Sequence, residues 1–178
     1  SSKSNVKAYL FPDEPDGHLY ELINILLKHG VKVHQTESSF QVKNATSYQR
    51  KKFSDKTFPK GTFIVSTDQS RHLFINSILS PNMAIEDSVM YDMSTWAAPL
   101  AYNLNAFYTS NPLNIKSLKK GMKTIEVKNM PISPKGVSVS NANYAYTIEW
   151  KQTNAPKALS MLWKKGYRVR SAQKPFST

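Results

Sequence analysis

The sequence predicts an α/β protein in which helices flank a mainly parallel sheet. Residues 7–33 read strand, helix, strand, and residues 144–169 read the same way. The runs Ala8–Leu10, Thr62–Val65 and Tyr144–Ile148 are near-continuously apolar or β-branched, as strands buried on both faces require.

In the first unit, Lys7-Ala8-Tyr9-Leu10-Phe11 is the strand, and a Pro- and Asp-rich turn runs from Pro12 to Gly17. Leu19, Leu22, Ile23, Leu26 and Leu27 repeat at helical spacing, which predicts a helix over 19–28. Asp16 is placed to cap its start, and Gly30 falls just past its end. Val31-Lys32-Val33 opens the next strand, and a connection of this length reads as a parallel crossover.

The second unit has a strand at Tyr144–Ile148 and a helix over 155–164 with Pro156 in its first turn. Gly166 is the stop, and Tyr167-Arg168-Val169 the following strand. Leu26-Leu27-Lys28-His29-Gly30-Val31-Lys32-Val33 aligns with Leu162-Trp163-Lys164-Lys165-Gly166-Tyr167-Arg168-Val169. A degenerate repeat of one βαβ unit explains that match.

Between the two units, Phe58-Pro59-Lys60-Gly61 is a turn opening onto the strand Thr62–Val65, and a helix spans Ser70–Leu79. Tyr91–Trp96 leads into a further helical stretch. Residues 105–141, with their scattered Pro and Gly, read as a connector holding one or two hairpins. The expected organisation is a first α/β lobe at 1–104, a hairpin and linker region at 105–141, and a second βαβ unit at 142–178.

Lys and Arg number 24 against 12 Asp and Glu, a net charge of +12. The charge is unevenly spread. Residues 72–115 hold no Lys or Arg and 3 acids, whereas residues 116–178 hold 13 basic and 2 acidic side chains. The alternative reading that this balance offers is a polyanion- or nucleic-acid-binding domain. Most of the lysines are scattered, which suits a solvated surface better than a phosphate-tracking groove. No apolar run reaches the ~20 residues of a membrane-spanning helix. The chain has no cysteine, which excludes disulfides, thiolate nucleophiles and Cys-ligated zinc.

Each constellation of polar residues has a competing plain explanation. His18 and Glu21 form an HxxE pair of the spacing used by zinc carboxypeptidases, but zinc needs a third ligand and an open position. The remaining histidines, His29, His34 and His72, are not spaced to supply it. Asp13, Glu14 and Asp16 crowd one turn, but Pro15 interrupts any calcium-loop pattern. Ser66, Ser70 and Ser94 lack a nucleophile elbow, and the glycines are too isolated to cradle phosphate. Tyr48, Phe53 and Phe58 interleave with Arg50, Lys51, Lys52 and Lys56 and could stack bases; packed aromatic anchors in a surface loop explain them better. Trp96 and Trp150 read as core residues.

Two middle segments carry a resemblance. Phe58-Pro59-Lys60-Gly61-Thr62-Phe63-Ile64-Val65, followed by Gln69 and a helix ending at Leu79, resembles a segment of large bacterial carboxypeptidase A-like zinc peptidases. Tyr91-Asp92-Met93-Ser94-Thr95-Trp96, with Pro99 beyond it, is similar to their Tyr-Asp-x-(Ser/Thr)-x-Trp element. Residues 145–176, with Ala155-Pro156-Lys157-Ala158-Leu159 and Arg168-Val169-Arg170, resemble the start of their class I glutamine amidotransferase-like region.

The resemblance implies a flavodoxin- or amidotransferase-like fold in a non-catalytic accessory module. The module would position the catalytic peptidase domain of the same full-length protein, or bind substrate or surface material. It further implies a periplasmic or secreted setting and a second lobe that continues in a longer protein. No residue of this chain matches the family's catalytic zinc pair, so the chain itself is expected to be no enzyme and to hold no cofactor; zinc would belong to the separate catalytic domain. No specific nucleic-acid partner is expected. Tyr91, Asp92 and Trp96 are the candidate ligand-binding residues, as an aromatic shelf with a polar orienting group. The structural alternative is a helix entrance, with Asp92 or Ser94 capping and Trp96 turned into the core.

Overall fold

The structure is a computed structural model that describes residues 5–14, 18–81, 97–113, 123–129, 132, 141–142, 144–150 and 152–174. Two compact units divide the chain, 1–133 and 134–178.

The first unit is built on β1 (Ala8–Phe11), whose four side chains are all buried. The chain continues through α1 (His18–Lys28), β2 (His34–Thr36), β3 (Phe40–Ser47), β4 (Lys52–Phe58), β5 (Phe63–Ser66), α2 (His72–Leu79), a one-turn α3 (Ala98–Ala101), β6 (Phe107–Thr109) and β7 (Thr124–Glu126). The strands form one sheet in the order β4-β3-β6-β1-β5-β2-β7, and every neighbouring pair is antiparallel.

This corrects the expected parallel, flavodoxin- or amidotransferase-like α/β fold. β1 and β2 do run in the same direction, as the helical crossover between them demands, but β5 lies between them and runs the opposite way. Ile64 of β5 faces Leu10 on one side and His34 on the other. A crossover fixes only the relative direction of its two strands, and an inserted third strand makes both contacts antiparallel. The long β3–β4 hairpin was not visible in the hydrophobic pattern. It is mostly polar, and its buried positions change phase at Asn44, where φ is 54°: Val42 is buried, then Ala45 and Ser47.

Each face of the sheet has its own apolar cluster. Tyr9 and Phe11 of β1 and Phe63 and Val65 of β5 join Leu19, Leu22, Ile23 and Leu26 of α1 and Ile75 and Leu79 of α2. Ala8 and Leu10 point the other way, to Val42, Ala45, Phe58, Ile64 and Phe107. At about 1.5–3 kcal/mol for each fully buried large aliphatic or aromatic side chain, the helix-covered face holds much of the stabilising area.

α1 ends in a glycine cap. The Gly30 N–H donates to the Leu27 carbonyl (2.9 Å) and the Val31 N–H to the Leu26 carbonyl (3.0 Å), with Gly30 at φ 72°. In the second unit α4 (Ala155–Lys164) ends the same way: Gly166 donates to Trp163 and Tyr167 to Leu162, with Gly166 at φ 77°. The octapeptide match in the sequence is thus a shared helix stop. It is not evidence for a repeated βαβ unit, because Tyr144–Ile148 and Tyr167–Val169 form no strands and every described residue from Tyr144 to Trp150 is exposed. The expected buried strand at Tyr144–Ile148 is therefore not found. No helix of the described residues is long and apolar enough to cross a membrane.

Tyr48 ties the hairpin to the helical layer. Its buried hydroxyl donates to the Leu79 carbonyl at the end of α2. Burial, with smaller contributions from Tyr9 and Tyr108, pushes its pKa well above the ordinary tyrosine range. A raised folded-state pKa means stability that is complete below the unfolded value and lost as pH rises past it. Urea unfolding is expected to show stability declining above about pH 10. Tyr48→Phe should cost about 1–3 kcal/mol at pH 8 through the unsatisfied carbonyl, and should make the alkaline decline shallower. An unchanged alkaline slope would refute this role.

Candidate functional site

The end of the sheet where β1 passes to α1 holds Asp13, Glu14, His18 and Glu21. Asp13 accepts a hydrogen bond from the Tyr20 hydroxyl (2.9 Å), and Glu14 accepts one from the Asn105 side-chain amide (3.0 Å). A Cβ on Gly61, which sits at φ 87°, would lie 3.4 Å from the Asp13 Cβ. The turn therefore packs closely against the loop before β5 and accepts hydrogen bonds from neutral donors. Asp16 lies outside the described residues.

His18 and Glu21 lie one turn apart on α1, with Nδ1 and Oε2 separated by 4.0 Å. The His18 ring stacks on Tyr102 with centroids 6.0 Å apart. His29 packs on Phe74 at 4.4 Å, so it does not turn toward this pair. Among the described residues no group of three or more His, Cys, Asp or Glu side chains is placed to hold a metal ion. His34 sits on β2 opposite Glu126, and burial, the largest influence, lowers its pKa despite that carboxylate.

The Phe58–Val65 segment is a folding device. The Thr62 hydroxyl donates to the Pro59 carbonyl (2.7 Å), the Gly61 N–H to the Thr36 carbonyl (2.8 Å), and the Thr36 N–H to the Thr62 carbonyl (3.0 Å). Gln35 adds a side-chain bond to the Gly61 carbonyl (3.1 Å). Gln69 works similarly: its Oε1 accepts the Lys32 N–H (2.7 Å), while its Nε2 donates to the carbonyls of Lys32 (3.1 Å) and Ser66 (2.7 Å). It thereby fastens the segment leading into β2 to the segment leaving β5.

The aromatic and basic residues of the β3–β4 hairpin do not form a base-stacking shelf. Tyr48 and Phe58 are buried, and Phe53 packs against the second cluster. Lys56 Nζ lies 4.6 Å from the Phe53 ring centroid, 4.5 Å from that of Phe107 and 5.6 Å from that of Phe58, with Lys51 5.3 Å from Phe53. The protein's own lysines occupy the ring faces. This three-ring seat for Lys56 was missed in the sequence, where the lysine reads as solvated; the clue was Phe58 two positions along the same strand face. A shallow recess of about 240 Å³ beside it, lined by Asn44, Ala45, Thr46, Lys52, Phe53 and Ser54, brings no catalytic grouping together.

Tyr91, Asp92 and Trp96 lie outside the described residues. Directly after them the chain enters the helix-covered cluster at Ala97, and Leu104 and Ala106 follow it there. No family model, curated protein or solved structure matches the chain.

The Lys56 seat is testable. Lys56→Met keeps the aliphatic packing and removes the cation, and is expected to lower stability by about 0.5–2 kcal/mol in urea titrations. A variant as stable as the parent would show that the charge contributes nothing.

Proposed function

We propose that this chain is a non-catalytic accessory module of a zinc carboxypeptidase-like protein, which positions the catalytic domain or binds substrate or surface material outside the cytoplasm. The observation that carries the reading is the use made of the 58–65 segment and Gln69, one of the stretches that carry the resemblance. Their polar groups are engaged in backbone hydrogen bonds that join β2 to β5. The geometry of His18 and Glu21 also favours it, because the two face one another along one helix turn and the His18 ring stacks on Tyr102. A metallopeptidase instead needs converging ligands and an open coordination position, where zinc polarises a carbonyl and activates water.

The alternative, a polyanion-binding domain, draws on the charge of the C-terminal third. The hairpin gives it little support, since Lys51 and Lys56 lie over the rings that bases would stack on.

Two measurements test the proposal. The isolated chain should take up zinc only below stoichiometry and release no C-terminal residue from a blocked dipeptide. In the parent peptidase, deleting the module should leave zinc content unchanged while raising KM. One zinc per chain together with hydrolysis, both lost in His18→Ala, would replace the proposal with an independent hydrolase.

A further inference from the structure

The two edges of the seven-stranded sheet are protected against pairing with other chains. Edge strand β4 carries Lys52, Asp55 and Lys56, and edge strand β7 is three residues long and ends at Glu126. Charges and short length are the usual means of keeping an edge from recruiting another strand. The segment Tyr144-Ala145-Tyr146-Thr147-Ile148-Glu149-Trp150 is longer than β7 and carries Glu149 as its one charge. It contains no Lys, Arg or Pro, its residues have high β-propensity, and apolar or aromatic side chains recur at every second position. Tyr144 is 101% exposed, Tyr146 58%, Ile148 42% and Trp150 64%. So large an alternating apolar surface in a chain otherwise rich in lysine marks an interaction site.

We infer that residues 144–150 form a strand-pairing surface whose occupant is the same segment of a second copy of this chain. The sequence is complementary to itself about Thr147. Antiparallel pairing centred there sets Tyr144 opposite Trp150, Tyr146 opposite Ile148 and Thr147 opposite Thr147, so that each large apolar side chain meets another. Glu149 falls opposite Ala145, which keeps the two carboxylates from facing each other. Aromatic and β-branched cross-strand pairs of this kind are the favourable ones. The segment is also free of the cations that would make a self-contact repulsive. The rest of unit 134–178, with 8 basic residues and no acidic one, is repulsive toward its own copy. Self-association is thereby confined to this segment.

With aromatic side chains burying about 150–250 Å² each when fully covered, the pairing covers roughly 400–600 Å² per copy. That is below the ~800 Å² per partner of a standard interface, so the dimer is a concentration-dependent one. Because each chain carries +12, screening the mutual repulsion strengthens the dimer as salt rises, opposite to an association held by ion pairs.

Sedimentation of the full chain over about 1–200 µM should show reversible monomer–dimer exchange, tighter at ~0.5 M than at ~0.05 M salt. Tyr146→Lys and Ile148→Lys should each raise the dissociation constant at least about tenfold, since each removes apolar contact from two pairs and sets two ammonium groups diagonally across the dimer, about 7–8 Å apart. Thermal unfolding run alongside should be unchanged, because both side chains are exposed. The absence of native cysteine allows a direct register test. Thr147→Cys should oxidise to a covalent dimer, its Cα atoms falling within disulfide reach across the strand pair, while Ser160→Cys on the exposed side of α4 stays monomeric. A monomer at every concentration and salt would overturn the inference. So would a dimer untouched by both lysine variants, or one that cross-links through Ser160→Cys as readily as through Thr147→Cys.

Discussion

The fold depends on the burial of β1 on both faces. Its four residues, Ala8 to Phe11, are at most 1% exposed, and their alternation assigns Tyr9 and Phe11 to the helix-covered cluster and Ala8 and Leu10 to the opposite one. Its two neighbours are also the links to the rest of the sheet. β6 leads to the β3–β4 hairpin, and β5 leads to β2 and β7. A strand of four residues is thus the only hydrogen-bonded connection, among the described residues, between the two halves of the sheet. A polar side chain at any of its positions would enter one cluster or the other without water to solvate it.

That central position determines what the neighbouring turns can do. The β1–α1 turn is where the sequence concentrates acids, a histidine and a glutamate, a combination whose plain reading is a solvated turn before a helix. In the fold it abuts the loop before β5, and its carboxylates accept hydrogen bonds from Tyr20 and Asn105. The loop before β5 must in turn hold β5 between two strands that run the opposite way. Gly61 supplies the positive φ, while Thr62 and Thr36 supply the hydrogen bonds. The polar residues at this end of the sheet are organised around strand placement, which is why the site reads as scaffold and the proposed function as an accessory one.

Much of the local structure was legible in the sequence. The runs read as strands at 7–11 and 62–65 form β1 and β5, and the helices expected over 19–28, 70–79 and 155–164 are α1, α2 and α4. Strand direction was not legible, because the crossover through α1 constrains β1 and β2 relative to each other and says nothing of a strand inserted between them. β3 and β4 escaped notice because polar side chains and a change of phase at Asn44 erase the alternation by which strands are recognised. The match around Gly30 and Gly166 was real but local: both glycines terminate a helix by the same pair of hydrogen bonds. Val31 is buried after the first stop and Tyr167 is exposed after the second, so the same local chemistry serves two different surroundings. Of the candidate site residues, Tyr91, Asp92 and Trp96 lie outside the described residues; Phe107, which completes the aromatic seat of Lys56, comes from a distant strand.

The insertion of β5 between β1 and β2 is the feature on which the sheet order, the packing of the Gly61 loop and the scaffold reading all rest. Nuclear Overhauser spectroscopy of the isotope-labelled chain measures it directly. Backbone protons of Ile64 should show cross-strand contacts to both Leu10 and His34, with the antiparallel pattern on each side. Direct contacts between β1 and β2 in a parallel pattern, with Ile64 in contact with neither, would contradict the account.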